Sequence, residues 1–231
     1  TSLNPVLSVS RQLSESLELH RGLNRQDAYQ EAVRLVKLVG IPDAERRVDD
    51  YPYQFSGGMQ QRIMIAMALS CNPSLLIADE PTTSVDVTVQ AQLLEIIDNL
   101  RSQFGTAVII ITHNLGVVAR YVNRVNVMYA GRLVETGPTE VIYGQPRHPY
   151  TVGLIGSVPR LDLPRTRQIS VVPGLPPNLA RLPKGCAFQP RCKFAVDKCQ
   201  AEKPSLVEMG QEHYSACFRA AEVQELVRAV R

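Results

Sequence analysis

The sequence predicts an α/β fold in which the strands of a mostly parallel sheet alternate with helices. A short apolar run, LLIA (75–78), ends in charged residues, as is typical of a buried parallel strand. A helical stretch, VTVQAQLLEIIDNLRSQF (87–104), follows, and a second apolar run, AVIIIT (107–112), comes after it. Strand, helix and strand at this spacing indicate a βαβ crossover.

The region before the first strand is predicted to be helical. Residues 6–39 repeat apolar side chains at helical spacing, and the pattern stops at Gly40. A further helix is expected at 57–70, with Pro73 beyond its end. This helix begins on Ser-Gly-Gly, although a glycine costs a helix about 1 kcal/mol relative to alanine. The sequence therefore indicates that something requires bare backbone where this helix begins.

The pattern changes after the second strand. LGVVARYV is predicted to be a helix, and RVNVMYA and GRLVETG are predicted to be two strands that meet at Ala130-Gly131. Residues 144–190 contain nine prolines and few periodic stretches, which indicates a separate, loop-rich extension. A terminal helix is predicted for EVQELVRAVR.

The composition is that of an ordinary globular protein, with 45% hydrophobic and 20% charged residues. The net charge is only +3, and there is no run of lysines and arginines, so no nucleic-acid partner is expected. The longest apolar runs are far shorter than the ~20 residues that span a bilayer. A transmembrane helix is therefore not expected within this sequence.

Ionisable side chains stand at the carboxyl ends of both predicted parallel strands. Asp79 and Glu80 follow the first strand, and His113 follows the second. Ligands of open α/β sheets bind at this edge. An aspartate there can hold Mg²⁺ through water, a glutamate can orient or deprotonate an attacking water, and a histidine can hydrogen-bond a transferring phosphoryl group. Each feature alone is more often structural, but their order and spacing favour phosphoryl transfer.

Four motifs, in this order, resemble those of the nucleotide-binding subunit of ABC transporters. FSGGMQQR (55–62) is similar to the signature motif, and LLIADEP (75–81) to the Walker B strand with its catalytic glutamate. TTSVD (82–86) is similar to the D-loop, with Val for the usual Leu, and His113 matches the switch histidine. The resemblance implies an incomplete P-loop (RecA-like) ABC ATPase core with a helical subdomain, because no G-x-x-x-x-G-K-[ST] occurs in the chain. A fragment that begins after the P-loop and the Q-loop glutamine is expected to bind and hydrolyse ATP poorly by itself.

The resemblance also implies a role for each motif residue. Asp79 would position Mg²⁺ through water, Glu80 would activate the attacking water, and His113 would contact the γ-phosphate. Asp86 would help to couple two ATP sites across a dimer. The residues that would meet ATP held by the opposite subunit belong to the signature: Ser56, Gly57, Gly58 and Gln60. A helix N-terminus with bare backbone suits the binding of such an anion.

Four of the five cysteines lie near the C-terminus: Cys186, Cys192, Cys199 and Cys217. Four thiolates can hold zinc or an iron–sulfur cluster, and the spacing alone leaves zinc, a cluster and unligated thiols open. HPYT (148–151) and the cysteine pattern resemble the C-terminal extension of the ATPases of dipeptide, oligopeptide and nickel importers. That resemblance favours a [4Fe-4S] cluster, with zinc as the alternative.

The resemblance divides the chain into three parts. Residues 1–72 would form part of the helical subdomain, 73–145 the C-terminal part of the ATPase core, and 146–231 a loop-rich, metal-binding extension. The expected cofactors are ATP and Mg²⁺. The expected partners are a second ABC ATPase subunit, identical or paralogous, the transmembrane permease subunits and, indirectly, a substrate-binding protein.

The implied location is peripheral, at the cytoplasmic face of the plasma (inner) membrane. Two other functions are weighed against import of peptides or nickel. One is a soluble, non-transport ABC-type ATPase, which would lack HPYT and the four cysteines. The other is a non-enzymatic metal-binding fragment, which the absence of a P-loop motif would favour.

Overall fold

The computed structural model describes residues 3–82, 86–158 and 172–229 of the chain. The chain divides into two compact units, Thr1–His113 and Asn114–Arg231. The predicted D-loop residues 83–85 and the proline-containing stretch 159–171 lie outside the described residues.

The first unit contains the predicted helices and the predicted parallel strands. Its helices are α1 (Val9–Arg21), α2 (Arg25–Leu38), α3 (Ala44–Arg47), α4 (Gly57–Leu69) and α5 (Val87–Phe104). Its strands are β1 (Leu75–Asp79) and β2 (Ala107–Ile111), which pair in parallel with Leu75 opposite Ala107. The βαβ crossover predicted from the sequence is confirmed.

Helices α1, α2 and α4 pack around an apolar core. Leu13 and Leu17 of α1 and Ile63 of α4 are fully buried, and Leu35 of α2 is 2% exposed. Asn24 caps α2 by accepting the backbone N–H groups at its first turn. Burial of the apolar stripes fixes α4 in the unit and leaves its N-terminal turn at the surface.

The β1–β2 sheet is covered on one face only by the described residues. Ala78 is buried, whereas Leu75, Ile77, Ile109 and Ile111 on the other face are between 48% and 60% exposed. Parallel sheets of α/β proteins ordinarily have helices on both faces. In such a fold, a second layer of helices would cover this exposed face.

The second unit begins with a helix and is built on an antiparallel sheet. Its elements are α6 (Leu115–Tyr121), β3 (Arg124–Tyr129), β4 (Arg132–Pro138), α7 (Thr139–Gly144), α8 (Pro149–Gly156), α9 (Asp197–Ala201), β5 (Val207–Glu208), β6 (Tyr214–Ser215) and α10 (Val223–Ala229). The strand order is β3-β4-β6-β5. Ala130 and Gly131, with φ of 51° and 74°, close the β3–β4 hairpin in the left-handed region that such two-residue turns require.

This sheet pairs residues that were predicted to belong to two different parts of the chain, the ATPase core and the C-terminal extension. Glu135 and Thr136 of β4 pair with Ser215 and Tyr214 of β6. The residues predicted to form a separate extension therefore share a sheet with the β3–β4 hairpin. Strands of two residues show no alternating pattern, which is why the sequence did not predict them. Among the described residues, no helix is both long enough and apolar enough to cross a membrane.

Candidate functional site

Asp79, Glu80 and His113 come together at the carboxyl edge of β1 and β2. The Glu80 N–H donates to the Ile111 carbonyl at 2.9 Å, which extends the parallel ladder past Asp79. His113 Nδ1 lies 3.1 Å from Glu80 Oε1. The parallel register thus brings two residues that are 33 positions apart into hydrogen-bond contact.

Glu80 has a strained backbone at this edge. Its φ is 46°, in the left-handed region, which costs a residue other than glycine of order 1–3 kcal/mol. Its side chain is 45% exposed and that of His113 is 79% exposed. The turn therefore presents both side chains to solvent, where a ligand can reach them.

The signature residues form the exposed start of α4. Ser56 Oγ accepts the Met59 N–H and caps the helix. Neither glycine has a positive φ, so the helical backbone does not require them. A Cβ on Gly58 would lie 2.8 Å from Val89 Cγ1, whereas among the described residues a Cβ on Gly57 would meet no atom within 4 Å. Packing within the unit therefore explains Gly58 but leaves Gly57 without an explanation.

Two other predicted ATP-contacting residues stabilise local structure. Gln60 Nε2 donates to the carbonyls of Pro52 at 2.9 Å and Phe55 at 3.1 Å, which ties the preceding loop to α4. Asp86 caps α5, and its carboxylate accepts the Thr88 N–H at 3.0 Å. Sequence reasoning missed the cap, although an aspartate directly before a helical run is a usual N-cap signal.

The four C-terminal cysteines line one cavity in the second unit. The cavity is formed by Cys186, Cys192, Cys199 and Cys217 together with aromatic and polar neighbours that include Phe188, Phe194 and His148. The Cys186 N–H donates to the Cys199 carbonyl at 2.8 Å, which holds two of the cysteine-bearing segments together. The structure therefore brings the four predicted residues together.

Burial raises the pKa of three of these thiols. The pKa of Cys217 is raised to about 12, and those of Cys186 and Cys192 are also raised. Backbone N–H groups two residues further along oppose this effect by donating toward each sulfur. The donors belong to Phe188, Phe194 and Arg219. Such donors stabilise a thiolate, although without a ligand the buried thiols retain their protons at neutral pH.

The part of the chain that the structure describes shows no preformed metal-binding site. No group of three or more His, Cys, Asp or Glu side chains there is arranged to hold a metal ion. The four cysteines nevertheless line one cavity, and three of them have a backbone N–H donor toward sulfur.

Sequence reasoning missed a buried polar cluster around Glu135. The carboxylate is fully buried and accepts hydrogen bonds from the backbone N–H groups of Arg147 and His148. It also lies 2.7 Å from Nε2 of His213, which is 2% exposed. This cluster joins β4, the HPYT segment and the residue before β6. Its only signal in the sequence was a carboxylate directly after the apolar residues Leu133 and Val134.

Comparison with known proteins defines the class to which this fold belongs. Residues 1–83 match the ABC transporter family, and residues 134–199 match the oligopeptide/dipeptide transporter C-terminal region. The dimeric structure of the ATP-binding cassette MJ0796 bound to ADP and Pi is similar, with a TM-score of 0.53 and 26% identity over 59% of each chain. The fold is that of an ABC-type ATPase.

Two relatives identify the protein family within this class. A Brucella melitensis protein described as a peptide import ATP-binding protein is 52% identical over 228 residues, which cover 96% of this chain and 68% of the relative. The oligopeptide transport ATP-binding protein OppD of Haemophilus influenzae is 50% identical over 222 residues, with the same shares covered. The chain belongs to the family of ATP-binding proteins of ABC peptide importers.

Proposed function

We propose that this chain provides the water-activating and signature residues of an ATP-hydrolysing subunit that powers peptide import. The observation that supports this proposal is the contact between His113 and Glu80 at the carboxyl edge of β1 and β2. Asp79 would hold Mg²⁺ through water at the same edge. The chain contains no G-x-x-x-x-G-K-[ST] sequence, so hydrolysis needs a P-loop in addition to these residues.

We infer a separate role for each side chain of this pair. Glu80 would accept a proton from the attacking water, for which its exposed carboxylate is accessible. His113, with a proton on Nδ1, would donate to Glu80 Oε1 and hold the carboxylate in place. A bound Mg²⁺–ATP would supply the phosphoryl group and neutralise charge that develops in the transition state.

The signature motif (55–62) would complete the ATP site of a second ATPase subunit. The first turn of α4 is exposed and presents backbone N–H groups that suit a phosphate. Gly57 supports this role, because a side chain there would meet nothing within 4 Å among the described residues. A ligand from outside the chain would then explain why a residue without a side chain is needed at position 57.

The substitution Gly57→Ala tests this contact with the partner's ATP without an expected loss of stability. Alanine is expected to leave stability unchanged or to raise it by up to about 1 kcal/mol, because helices favour alanine. The same change is expected to reduce ATP hydrolysis at the partner subunit's site. Unfolding of the variant measures the first effect. Phosphate release by mixed dimers of subunits that combine this sequence with a P-loop, with one subunit substituted, measures the second. Gly144→Ala is the matched control, since Gly144 is also a helical glycine with open space around it. Wild-type hydrolysis by a Gly57→Ala dimer would contradict the role in the partner's site.

The family and its C-terminal region support transport over a soluble, non-transport ATPase. The relatives named above are described as peptide import or oligopeptide transport proteins, which supports peptides rather than nickel as the substrate class. The proposed partners are a second ATPase subunit and transmembrane permease subunits, with a substrate-binding protein acting through the permease. The proposed location is the cytoplasmic face of the membrane.

We further propose that the four cysteines hold a [4Fe-4S] cluster. The shared cavity and the N–H donors toward three sulfurs support a thiolate site. Such a group would cross-link the segments that contain the cysteines and add a one-electron redox centre. Iron and sulfide analysis of anaerobically purified chain tests this proposal. A colourless protein with stoichiometric zinc would contradict it.

Removal of a ligand and a change of pH are both expected to affect this site. Cys217→Ser is expected to lose most of the iron, whereas Cys71→Ser, which changes the cysteine outside the cavity, is expected to retain it. Because the pKa of Cys217 is raised to about 12, binding must displace a proton. Metal uptake is therefore expected to strengthen as the pH rises from about 6 to about 8. Equal iron content in the two variants would contradict ligation by Cys217.

A further inference from the structure

Arg62 ends the signature motif (55–62), and neither the sequence motifs nor the proposed mechanism assigns it a role. Its Nη1 donates to the carbonyls of Val39 at 3.3 Å and Gly40 at 3.2 Å, at the C-terminal end of α2. Its Nη2 donates to Gln92 Oε1 of α5 at 2.7 Å. One guanidinium group therefore joins the signature helix α4 to both α2 and α5.

The C-terminal end of α2 is suited to hold an arginine side chain. A planar guanidinium can donate in several directions at once, and the last carbonyls of a helix carry partial negative charge that favours a cation. Gly40 leaves room for this group, since a Cβ there would lie 2.9 Å from Arg62 Nη1. The contact with α2 thus keeps the guanidinium in position for its bond to Gln92.

A second contact between α4 and α5 lies one turn before this bond. Gly58 faces Val89, and a Cβ on Gly58 would lie 2.8 Å from Val89 Cγ1. Gly58 and Arg62 are four residues apart and lie on one face of α4. Val89 and Gln92 are three residues apart and lie on one face of α5. Two contacts on successive turns therefore fix both the rotation and the register of α4 against α5.

The bond to Gln92 is better explained by positioning than by stability. Burial of Ile63 and Leu69 in the apolar core already holds α4 in the unit. The Gln92 side chain is exposed, and a hydrogen bond that water can replace contributes only modestly to folding. The two helices that the bond joins begin with the signature turn and with Asp86, the residues proposed to act at a second subunit's ATP site.

We propose that Arg62, through Gln92, is a positioning residue that sets the first turn of α4 for hydrolysis of the ATP held by the partner subunit. Arg62 would act through the two helices and not by contact with the nucleotide. The bond would keep the signature turn and the start of α5 in one arrangement, since both would face the same ATP. This inference rests on the proposed role of the signature in a second subunit's site.

Gln92→Ala tests this role, because alanine suits an exposed helix position and no loss of stability is expected. The experiment uses dimers of subunits that combine this sequence with a P-loop. One subunit carries Glu80→Gln, so that only the ATP site of the other subunit hydrolyses. In the Glu80→Gln subunit, whose signature serves that active site, Gln92→Ala is expected to lower phosphate release by about 10-fold to about 10²-fold, the effect of a small misplacement. In the other subunit, the same change is expected to leave the rate at the wild-type level.

Three further variants show whether the effect comes from the bond itself. Gln92→Glu keeps an oxygen that accepts from Arg62 and is expected to restore hydrolysis. Arg62→Lys loses the forked donor, and its combination with Gln92→Ala is expected to lose no more than the larger single effect. Asn99→Ala is the matched control, because Asn99 is another exposed amide, about two turns further along α5. It is expected to leave hydrolysis unchanged in either subunit, and urea unfolding of each variant checks its stability.

The outcomes separate this inference from the proposed function. Equal losses from Gln92→Ala in either subunit would overturn the positioning role, because the effect would then come from general disturbance of the unit. Wild-type rates with Gln92→Ala in both placements would also overturn it, if Gly57→Ala in the Glu80→Gln subunit still lowers hydrolysis. Wild-type rates with both Gly57→Ala and Gln92→Ala would overturn the proposed role of the signature, and this inference with it.

Discussion

Glu80→Gln is expected to lower ATP hydrolysis by about 10²–10⁴-fold, the usual contribution of a general base. Glutamine has nearly the same shape and can still accept a hydrogen bond from His113, but it cannot take a proton from water. The measurement is phosphate release at saturating ATP by a subunit that combines this sequence with a P-loop. ATP binding is expected to remain, since the change removes the base and not the phosphate cradle.

Glu45→Gln provides the matched control for that experiment. Glu45 is an exposed carboxylate of the same unit, paired with Lys37 at 3.3 Å and placed at the start of α3, not at the β1–β2 edge. Its substitution is expected to leave hydrolysis unchanged. Wild-type turnover by Glu80→Gln would show that another group activates the water, and equal losses in both variants would indicate a general effect on folding.

Glu135→Ala is expected to destabilise the second unit by about 3–5 kcal/mol, because several buried donors lose their acceptor and each unsatisfied buried group costs about 1–3 kcal/mol. The substitution leaves His213 buried without its partner and removes the acceptor of the Arg147 and His148 N–H groups. Unfolding of the full chain in urea, followed by a probe in the second unit, measures the change. Glu135→Gln is expected to lose less, because it keeps an acceptor.

A surface carboxylate in the same unit is the control for Glu135. Glu212 pairs with Arg124 at 3.0 Å, but its side chain is 76% exposed. Exposed ion pairs contribute little, so Glu212→Ala is expected to change stability only slightly. A Glu135→Ala chain as stable as the Glu212→Ala chain would mean that the buried cluster makes no net contribution.

The main elements of the first unit were predictable because their signals are local. Apolar residues at helical spacing predicted α1, α2 and α4, and short apolar runs with charged ends predicted β1 and β2. The parallel crossover in turn predicts that Glu80 and His113 lie at the same edge of the sheet. The left-handed turn at Glu80 was not predictable, because glutamate has no intrinsic preference for that conformation.

The two glycines of the signature show where sequence and structure give different kinds of information. The sequence identified a helix start that contains two glycines and, by family resemblance, an ATP-contacting motif. Only the packing showed that Gly58 faces Val89 at close range whereas Gly57 faces open space among the described residues. This difference identifies Gly57 as the position whose substitution tests the function without disturbing the fold.

By itself, the sequence determined the ABC-type motifs, their order, the parallel β1–β2 crossover and the set of four cysteines, because each depends on residue type and short-range spacing. Only the tertiary structure decided that β6 joins the sheet of β4, that Glu135 meets His213, and that His148 lines the cysteine cavity. Glu135 and His213 are 78 positions apart. Contacts between residues so distant leave no periodic signal in the chain, since burial and the pairing of polar groups arise only after the strands and loops have packed.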